Sequence, residues 1–375
     1  MTLADDIAAL PDDMKRRLSE RGFREERLFA WAKGIGQAKD ERNRYKGVVT
    51  APRPGDVSDA PEPGTAEHAR YYAKGLEALR AGKVALCVLA GGMATRMGGV
   101  VKALVEAVPG KTFLDLRLGE QAATERLSGR KVPLWLMVSE ATRDGIASAL
   151  GPRLDGDHIA LFEQCVSLRL APDGSLFHDD DGVSVYATGH GDLPEALAQS
   201  GLLKRFLDSR GDGYVWIANL DNLGATVDPA ILGWHMEHPN AVTVEVVDKV
   251  GTDRGGVPVV LDGRRIISEE FRLPKDVDPT TIRVFNTNTF VVDARALADL
   301  DFEFTFVEVD KNVGGKKAVQ FERLLGEFTV PLEPSFLRVP RDGKESRFLP
   351  VKDNDELERR RGEIQTIAEA RGMLA

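Results

Sequence analysis

Apolar residues recur along the chain with two periods, that of a helix and that of a strand. In residues 1–50, the spacing of Ile7, Leu10 and Leu18 is helical, which predicts a small helical lead-in. Residues 50–64 are dense in Pro, Gly, Ala and Asp, so we expect an irregular connector along the surface. The amino-terminal part therefore precedes the main fold.

Strands and helices alternate from residue 83 onward. The pattern predicts strands over residues 84–89, 133–139, 214–218 and 241–247, and helices over residues 113–127, 142–150, 193–200 and 229–237. This order is typical of an α/β fold with a mostly parallel sheet and helices on both faces.

A β-hairpin insert and a terminal helix complete the pattern. Residues 257–261 and 264–268 flank Asp262-Gly263, a pair that suits a tight type I′ turn. Residues 355–374 predict a charged helix. We divide the chain into a helical region and connector (1–80), an α/β catalytic domain (81–340) and a carboxyl-terminal segment with a lysine and a helix (341–375).

Composition excludes several classes of protein. The formal net charge of −9 argues against a broad nucleic-acid surface. The chain has neither a basic leader with an apolar core nor an apolar run near the roughly 20 residues of a membrane-spanning helix. Cys87 and Cys165 lie in apolar surroundings, which favours buried thiols in a reducing compartment. We expect a cytoplasmic protein that binds neither nucleic acid nor membrane.

A glycine-rich segment follows the first strong strand: Leu89-Ala-Gly-Gly-Met-Ala-Thr-Arg-Met-Gly-Gly, with Lys102 beyond it. Glycines at the carboxyl end of a strand let backbone N–H groups approach a phosphate or a base closely. The spacing is not that of a dinucleotide-binding G-x-G-x-x-G, and Gly110-Lys111-Thr112 lacks the first glycine of a P-loop. The segment predicts a nucleotide loop, with a glycine-rich turn without a ligand as the alternative.

A carboxylate follows a second buried strand. Asp221 comes directly after residues 214–218, so we expect it at the carboxyl edge of the sheet, where open α/β sheets bind ligands. A carboxylate beside bound phosphates can hold Mg²⁺, which takes one or two protein carboxylates and fills its shell with water and phosphate oxygen. The alternative is a turn or a helix cap.

Other polar residues give weaker signals. His190 lies between two glycines before a helix, an arrangement that would let its backbone and imidazole reach a ligand together. The alternative is a plain loop in which Asp192 caps the helix. Asn286, Asn288 and Glu269 offer groups suited to sugar hydroxyls, and Lys352 offers a positive charge for a phosphate. His235 and His238 lack the H-E-x-x-H pattern of zinc hydrolases.

Eight segments in one order resemble the UTP:glucose-1-phosphate uridylyltransferase family of the eukaryotic type, also called UDP-glucose pyrophosphorylases. They are Leu-Ala-Gly-Gly-Met-Ala-Thr-Arg-Met-Gly, Lys-Thr-Phe-Leu-Asp-Leu, Pro-Leu-Trp-Leu-Met-Val-Ser, Phe-Glu-Gln, Gly-His-Gly-Asp, Asn-Leu-Asp-Asn-Leu-Gly-Ala-Thr-Val-Asp, Phe-Asn-Thr-Asn and Arg-Phe-Leu-Pro-Val-Lys. The resemblance covers roughly residues 82–355. It implies a Rossmann-like, mostly parallel mixed sheet of the nucleotide-diphospho-sugar transferase (GT-A-like) type.

The resemblance also implies an Mg²⁺-dependent reaction of UTP with glucose 1-phosphate that forms UDP-glucose and pyrophosphate. It implies the following roles: catalysis by Lys102, Lys352 and Asp221, with Asp221 as metal ligand; nucleotide binding by Leu89, Ala90, Gly91, Gly92, Gln164, Gly189 and His190; and sugar binding by Gly191, Asn219, Glu269, Asn286 and Asn288.

The sequence departs from the family pattern at several points. Val101 replaces a proline before the loop lysine, Ala94-Thr95 replaces Gly-Thr, and Ala187-Thr188 stands where prolines are common. The chain ends soon after Lys352, so we expect no carboxyl-terminal β-helix and therefore a monomer or small homo-oligomer. Arg96 is similar to the residue found in the related UDP-N-acetylhexosamine pyrophosphorylases, and that family is one alternative. A UDP-sugar-binding protein without catalytic activity is the other.

Overall fold

A twisted eight-stranded sheet forms the centre of the protein. The computed structural model describes residues 2–94, 97–251, 253 and 255–375. In chain order, the strands of this sheet are β1 (Val57–Asp59), β2 (Val84–Leu89), β3 (Leu134–Val138), β4 (Ile159–Glu163), β5 (Tyr214–Asn219), β6 (Val242–Asp248), β7 (Val284–Asp293) and β8 (Pro334–Arg338). Their spatial order is β1-β8-β6-β7-β5-β2-β3-β4.

Five neighbouring pairs in this sheet are parallel, and the two pairs that include β7 are antiparallel. The prediction of a mostly parallel mixed sheet is therefore confirmed. Alternate residues of β2 face two separate apolar layers, with Leu86 and Val88 in one and Ala85 and Cys87 in the other. This two-sided burial explains why β2 is continuously apolar in sequence.

The described part of the chain contains twelve α-helices: α1 (Leu3–Ala8), α2 (Asp12–Glu20), α3 (Glu25–Ala32), α4 (Lys39–Asn43), α5 (Ala66–Arg80), α6 (Phe113–Ser128), α7 (Glu140–Leu150), α8 (Leu193–Ser200), α9 (Leu202–Arg210), α10 (Pro229–Glu237), α11 (Ala294–Ala298) and α12 (Asn354–Ala370). Helix α6 begins at a reciprocal capping box between Thr112 and Asp115 and ends before Gly129, which is left-handed. Helices α1 to α4 confirm the predicted helical lead-in.

Smaller β-elements surround the main sheet. They are the three-stranded sheet of Val49–Thr50, Gly256–Leu261 and Arg264–Glu269, and the strand pairs Val166–Leu168 with Val185–Ala187, His178–Asp179 with Gly182–Val183, Val307–Val313 with Lys316–Glu322, Met93–Ala94 with Val100–Val101, and Glu106–Val108 with Lys111–Thr112. The predicted hairpin is confirmed: Asp262 and Gly263 both have positive φ, as a type I′ turn requires.

The connector predicted to be irregular contains ordered structure. Strand β1 pairs with β8 at the edge of the main sheet, and Val49–Thr50 pairs with the hairpin. The prediction missed both pairings because each strand is short and its partner lies more than 200 residues away. Cys87 and Cys165 are buried free thiols, as predicted. No helix of the described residues is long and apolar enough to cross a membrane.

Candidate active site

The glycine-rich segment lies where β2 ends. Leu89 is paired with Asn219 across β2 and β5, and Ala90 is buried beside it. A Cβ added to Gly91 would come within 2.5 Å of Oε1 of Gln164, whereas a Cβ on Gly92 would meet no atom of the described residues within 4 Å. Gly91 therefore allows Gln164 to pack over the strand end, and no described residue blocks a ligand from approaching Gly92.

Gln164 directly follows β4, and its backbone N–H donates to the carbonyl of Val138. Its side chain is largely buried, yet its amide makes no hydrogen bond with any described residue. An amide presents one donor and one acceptor, which matches the edge of a uracil ring. Gln164 and the Gly91-Gly92 backbone thus lie together, as the predicted nucleotide pocket requires.

Asp221 lies at the carboxyl edge of the sheet, just after β5. Its Oδ2 accepts hydrogen bonds from Nζ of Lys102 at 2.7 Å and from the backbone N–H of Val351 at 3.3 Å. Both charged side chains are mostly buried, with 16% exposure for Asp221 and 19% for Lys102. The structure therefore brings together two residues that are 119 positions apart in sequence and opposite in charge.

Asn219, the last residue of β5, meets β7. Its Oδ1 accepts a hydrogen bond from Nδ2 of Asn288 at 2.7 Å, and Oδ1 of Asn286 accepts one from the backbone N–H of Asn288 at 2.9 Å. Asn288 has a positive φ of 58°, a conformation that asparagine tolerates better than most residues. A break in register opposite Glu245 and Val246 accommodates this turn within β7. The three asparagines thus form one polar group beside Asp221.

Glu269 ends the second hairpin strand opposite Gly256. Burial and the neighbouring charge of Glu270 raise its pKa to about 7, against the opposing charge of Arg272. Among the described residues its carboxyl group has no hydrogen-bond or ion-pair partner, and it borders a cavity of about 1170 Å³ that Gly255 and Phe271 also line. The hairpin therefore places a titratable group beside an open cavity.

The Gly189-His190-Gly191 loop packs against the chain after the strand Lys316–Glu322. A Cβ on either glycine would come within 2.6 Å of the Arg323 backbone. Nδ1 of His190 accepts a hydrogen bond from the N–H of Leu325 at 2.8 Å, which puts the proton of the neutral ring on Nε2. Burial also lowers the pKa of His190. Gly191 contacts protein backbone, so its predicted place at the sugar stays a prediction.

Asp192 does not cap helix α8, in contrast to the alternative suggested by the sequence. Its carboxylate accepts hydrogen bonds from Nε of Arg323 at 2.6 Å and from the hydroxyl of Thr188 at 2.8 Å. Arg323 also pairs with Glu195, which pairs with Arg27 of α3 at 2.9 Å. Asp192 therefore anchors the His190 loop through a buried ion pair, which connects it to the helical lead-in.

The segment before Lys352 is fixed to the Asp221 loop. Asn222 donates to the carbonyl of Arg347 at 3.1 Å and accepts from the N–H of Leu349 at 2.7 Å. The Lys352 side chain is exposed. Burial acts to raise the pKa of Asp253. A hydrogen bond from Arg341 and the positive charges of Arg341 and Lys352 outweigh burial and lower that pKa. Lys352 thus lies at the open side of the site, next to the Asp221 loop.

The residues present fit an Mg²⁺ ion that binds together with phosphates. Asp221 uses Oδ2 for its protein contacts, and its Oδ1 makes no hydrogen bond with any described residue. The described chain contains no cluster of three or more His, Cys, Asp or Glu side chains able to hold a metal. A single carboxylate is sufficient where phosphate oxygens and water supply the other ligands.

Sequence reasoning missed four buried charged residues that support this site. Arg117 pairs with Glu120, and Arg347 pairs with Glu245 through two hydrogen bonds of 2.6 and 2.7 Å. Such residues are usually exposed, so their type alone gave no indication of burial. The sequence did contain one indication of burial: Arg117 follows Leu116 in a turn of α6 whose other residues are mostly apolar and face the core. Thr95 and Arg96 lie outside the described residues.

Comparison with known proteins supports the family resemblance. Residues 65–368 match the family model described as UTP--glucose-1-phosphate uridylyltransferase. The chain is similar to proteins of that name from Hordeum vulgare, with 32% identity over 78% of this chain and 65% of the relative, and from Musa acuminata, with 33% identity over 73% and 62%. It therefore spans less than two thirds of the length of these curated relatives.

Solved structures show the same fold. The UDP-glucose phosphorylase of Trypanosoma brucei has a TM-score of 0.73 at 23% identity, covering 92% of this chain and 77% of that one. The UDP-glucose pyrophosphorylase of Leishmania major has a TM-score of 0.72 at 22% identity, covering 88% and 74%. These likenesses confirm the predicted fold class. With the family model matching most of its length, the chain belongs to the UTP--glucose-1-phosphate uridylyltransferase family.

Proposed function

We propose that the protein transfers the uridylyl group of UTP to glucose 1-phosphate, forming UDP-glucose and pyrophosphate. The observation that carries this proposal is the contact of Lys102 with Asp221 at the carboxyl edge of the sheet, 2.7 Å between Nζ and Oδ2. A cation and a metal-binding carboxylate at one point suit a reaction between two anions. The family and the names of the curated relatives support the choice of substrates.

The reaction needs no protein nucleophile. An oxygen of the sugar phosphate attacks the α-phosphorus of UTP in line, and the bond from that phosphorus to the oxygen bridging to the β-phosphate breaks. Pyrophosphate leaves with the electron pair, and no proton needs to move because the attacking phosphate is already ionised at neutral pH. Catalysis then consists of orienting two anions and neutralising their charge.

The charged residues serve the phosphates. Mg²⁺ held by Asp221 would neutralise phosphate charge when bound. Lys102 leaves its ion pair with Asp221 and contacts phosphate, while Lys352 supplies a second positive charge from the open side. The buried hydrogen bonds of Asn222 to residues 347 and 349 keep the backbone leading to Lys352 close to the Asp221 loop.

The nucleotide and the sugar both bind beside this charged centre. We assign the nucleotide to Leu89, Ala90, Gly91, Gly92, Gln164 and Gly189, with Gly91 and Gly92 at its uracil and phosphates, and the hexose to Gly191, Asn219, Glu269, Asn286 and Asn288. His190 is neutral with its proton on Nε2, so it can donate one hydrogen bond where nucleotide and sugar meet, without adding charge.

The decisive experiment measures pyrophosphate release from UTP with a panel of sugar 1-phosphates: glucose, galactose and N-acetylglucosamine. We expect glucose 1-phosphate with UTP to give the highest kcat/KM. The Asp221→Asn variant, purified in the same way, should release pyrophosphate much more slowly, which would show that the activity does not come from a contaminant. Release with the N-acetylglucosamine substrate and none with glucose would replace this proposal by the UDP-N-acetylhexosamine reaction. Binding of UDP-glucose without turnover would replace it by a binding protein.

Location and assembly belong to the same proposal. We place the reaction in the cytoplasm, supported by two buried thiols that remain unpaired. A monomer or small homo-oligomer remains our prediction for the assembly, and light scattering that gave the mass of an octamer would contradict it.

A further inference from the structure

We propose that Arg117 is a positioning residue: its guanidinium fixes the backbone of the loop that presents Asp221. This inference rests on the proposed function, because Asp221 serves the reaction described there. It adds a residue on helix α6 that does not contact the substrates and acts through the loop.

The guanidinium lies beneath the loop and reaches three of its carbonyl groups. The Arg117 side chain is fully buried. Its Nε donates to the carbonyl of Leu220 at 3.1 Å, and one terminal nitrogen donates to the carbonyls of Asn219 at 2.5 Å and Asn222 at 2.7 Å. Asp221 therefore lies between residues whose carbonyl groups are held by a single side chain.

Glu120 extends this arrangement to the end of the loop. One carboxylate oxygen accepts a hydrogen bond from the other terminal nitrogen of Arg117 at 2.5 Å, and the second oxygen accepts one from the backbone N–H of Val227 at 3.0 Å. The two residues lie one helical turn apart on α6. Together they hold both ends of residues 219–227 against one rigid helix.

The planar set of N–H donors on the guanidinium distinguishes a role of Arg117 in positioning the loop from a role in filling space in the core. A buried ion pair is often replaceable by apolar residues of similar volume without loss of stability. An apolar side chain, however, would leave the buried carbonyl of Leu220 without a donor and would remove the side-chain donor from the carbonyls of Asn219 and Asn222, which keep only one backbone N–H each, from Asn222 and Ala225. Lysine has one compact ammonium group in place of a planar fork, so it cannot reproduce the geometry.

The test compares Arg117→Lys with Arg169→Lys. Arg169 is a matched control because its guanidinium also donates to a backbone carbonyl, that of Val185 at 3.0 Å, but contacts none of residues 219–227. The first measurement is amide hydrogen exchange of residues 219–227 in the full chain without substrates. The second is kcat, the KM for UTP and the Mg²⁺ concentration that gives half the maximal rate.

We expect Arg117→Lys to speed exchange in residues 219–227, to lower kcat by about tenfold or more, and to raise the Mg²⁺ requirement, with the KM for UTP within about threefold. Arg169→Lys should change none of these. Unaltered exchange, or faster exchange with normal kcat and Mg²⁺ dependence, overturns the inference. If Arg117→Lys does not fold, Glu120→Gln replaces it, with faster exchange near Val227 expected and unchanged exchange counting against us.

Failure of the proposed function would be recognised separately. A wild-type protein that releases no pyrophosphate with any sugar 1-phosphate overturns the proposed reaction. The exchange measurement needs no turnover, so it still decides whether Arg117 holds the loop.

Discussion

Replacing Glu269 by Gln should stabilise the protein in a pH-dependent way. Burial and the neighbouring Glu270 raise the Glu269 pKa from its ordinary value of 4.5 to about 7, against the opposing charge of Arg272. The surroundings of Glu269 disfavour negative charge at a second group as well. The Arg272 guanidinium lies over the ring of the nearby Tyr45, and burial raises the pKa of that tyrosine. Gln keeps the shape of the side chain and cannot ionise.

The magnitude follows from linkage between proton binding and folding. A pKa that rises from 4.5 to about 7 on folding corresponds to roughly 3 kcal/mol of cost for the ionised form. The Glu269 side chain is only partly buried by surface area, so solvent reduces this to about 1–2 kcal/mol. Below pH 4.5 the carboxyl is neutral in both states and the cost is absent. The cost grows between pH 4.5 and 7 and is constant above.

Urea unfolding of wild type and Glu269→Gln between pH 5 and 8.5 measures this difference. We expect the variant to be more stable by about 1–2 kcal/mol at pH 8, and the two proteins to converge near pH 5. The control is Glu333→Gln. Glu333 forms an ion pair with Arg265 of the hairpin, so this variant should not become more stable than wild type at pH 8. A wild type as stable as Glu269→Gln at pH 8, or a gap that widens towards acid, would refute a raised pKa at Glu269.

Further predictions concern single side chains. Asp221→Asn should lower kcat by about a hundredfold, because it removes the charge that serves the phosphates, and steady-state kinetics with varied Mg²⁺ would show partial rescue. Asp228→Asn should instead lower the melting temperature modestly with little effect on kcat, since Asn can still cap α10 but loses the negative charge at the start of that helix and 3.8 Å from Arg347. Gln164→Ala should raise the KM for UTP by about five- to 150-fold through the loss of about 1–3 kcal/mol, and an unchanged KM would remove Gln164 from the nucleotide pocket.

The sequence was most informative where local pattern and position coincide. The strand over residues 84–89 and the glycines after it predicted the position of Gly91 and Gly92, because a buried strand must be followed by a turn at the sheet edge. Asp221 was predicted at the same edge by the same reasoning. Both the order of elements and the contact of Lys102 with Asp221 agree with that prediction.

Long-range pairing could not be predicted in this way. Strand β7 joins the sheet antiparallel between β5 and β6, and its irregular register turns Asn288 towards Asn219. Nothing local in Phe285-Asn-Thr-Asn indicates the direction of the strand. Arg117 escaped notice for a different reason: its burial depends on carbonyl groups about 100 residues away, which compensate for removing its charge from water.

The antiparallel direction of β7 has a consequence for how the protein can evolve. A parallel neighbour would bring another strand end and its loop to the crowded edge beside Asp221. Strand β7 instead brings its own beginning there, where Asn286 pairs with Val246 of β6 and Asn288 lies in the break of register. Under the proposed function, substitutions at residue 286 would change the hexose side without removing a hydrogen bond from the Asp221 loop, whereas substitutions at residue 288 would also remove its contact with Asn219. The asparagines proposed to face the sugar and the Asp221 loop therefore meet at one hydrogen bond, from Asn288 to Asn219.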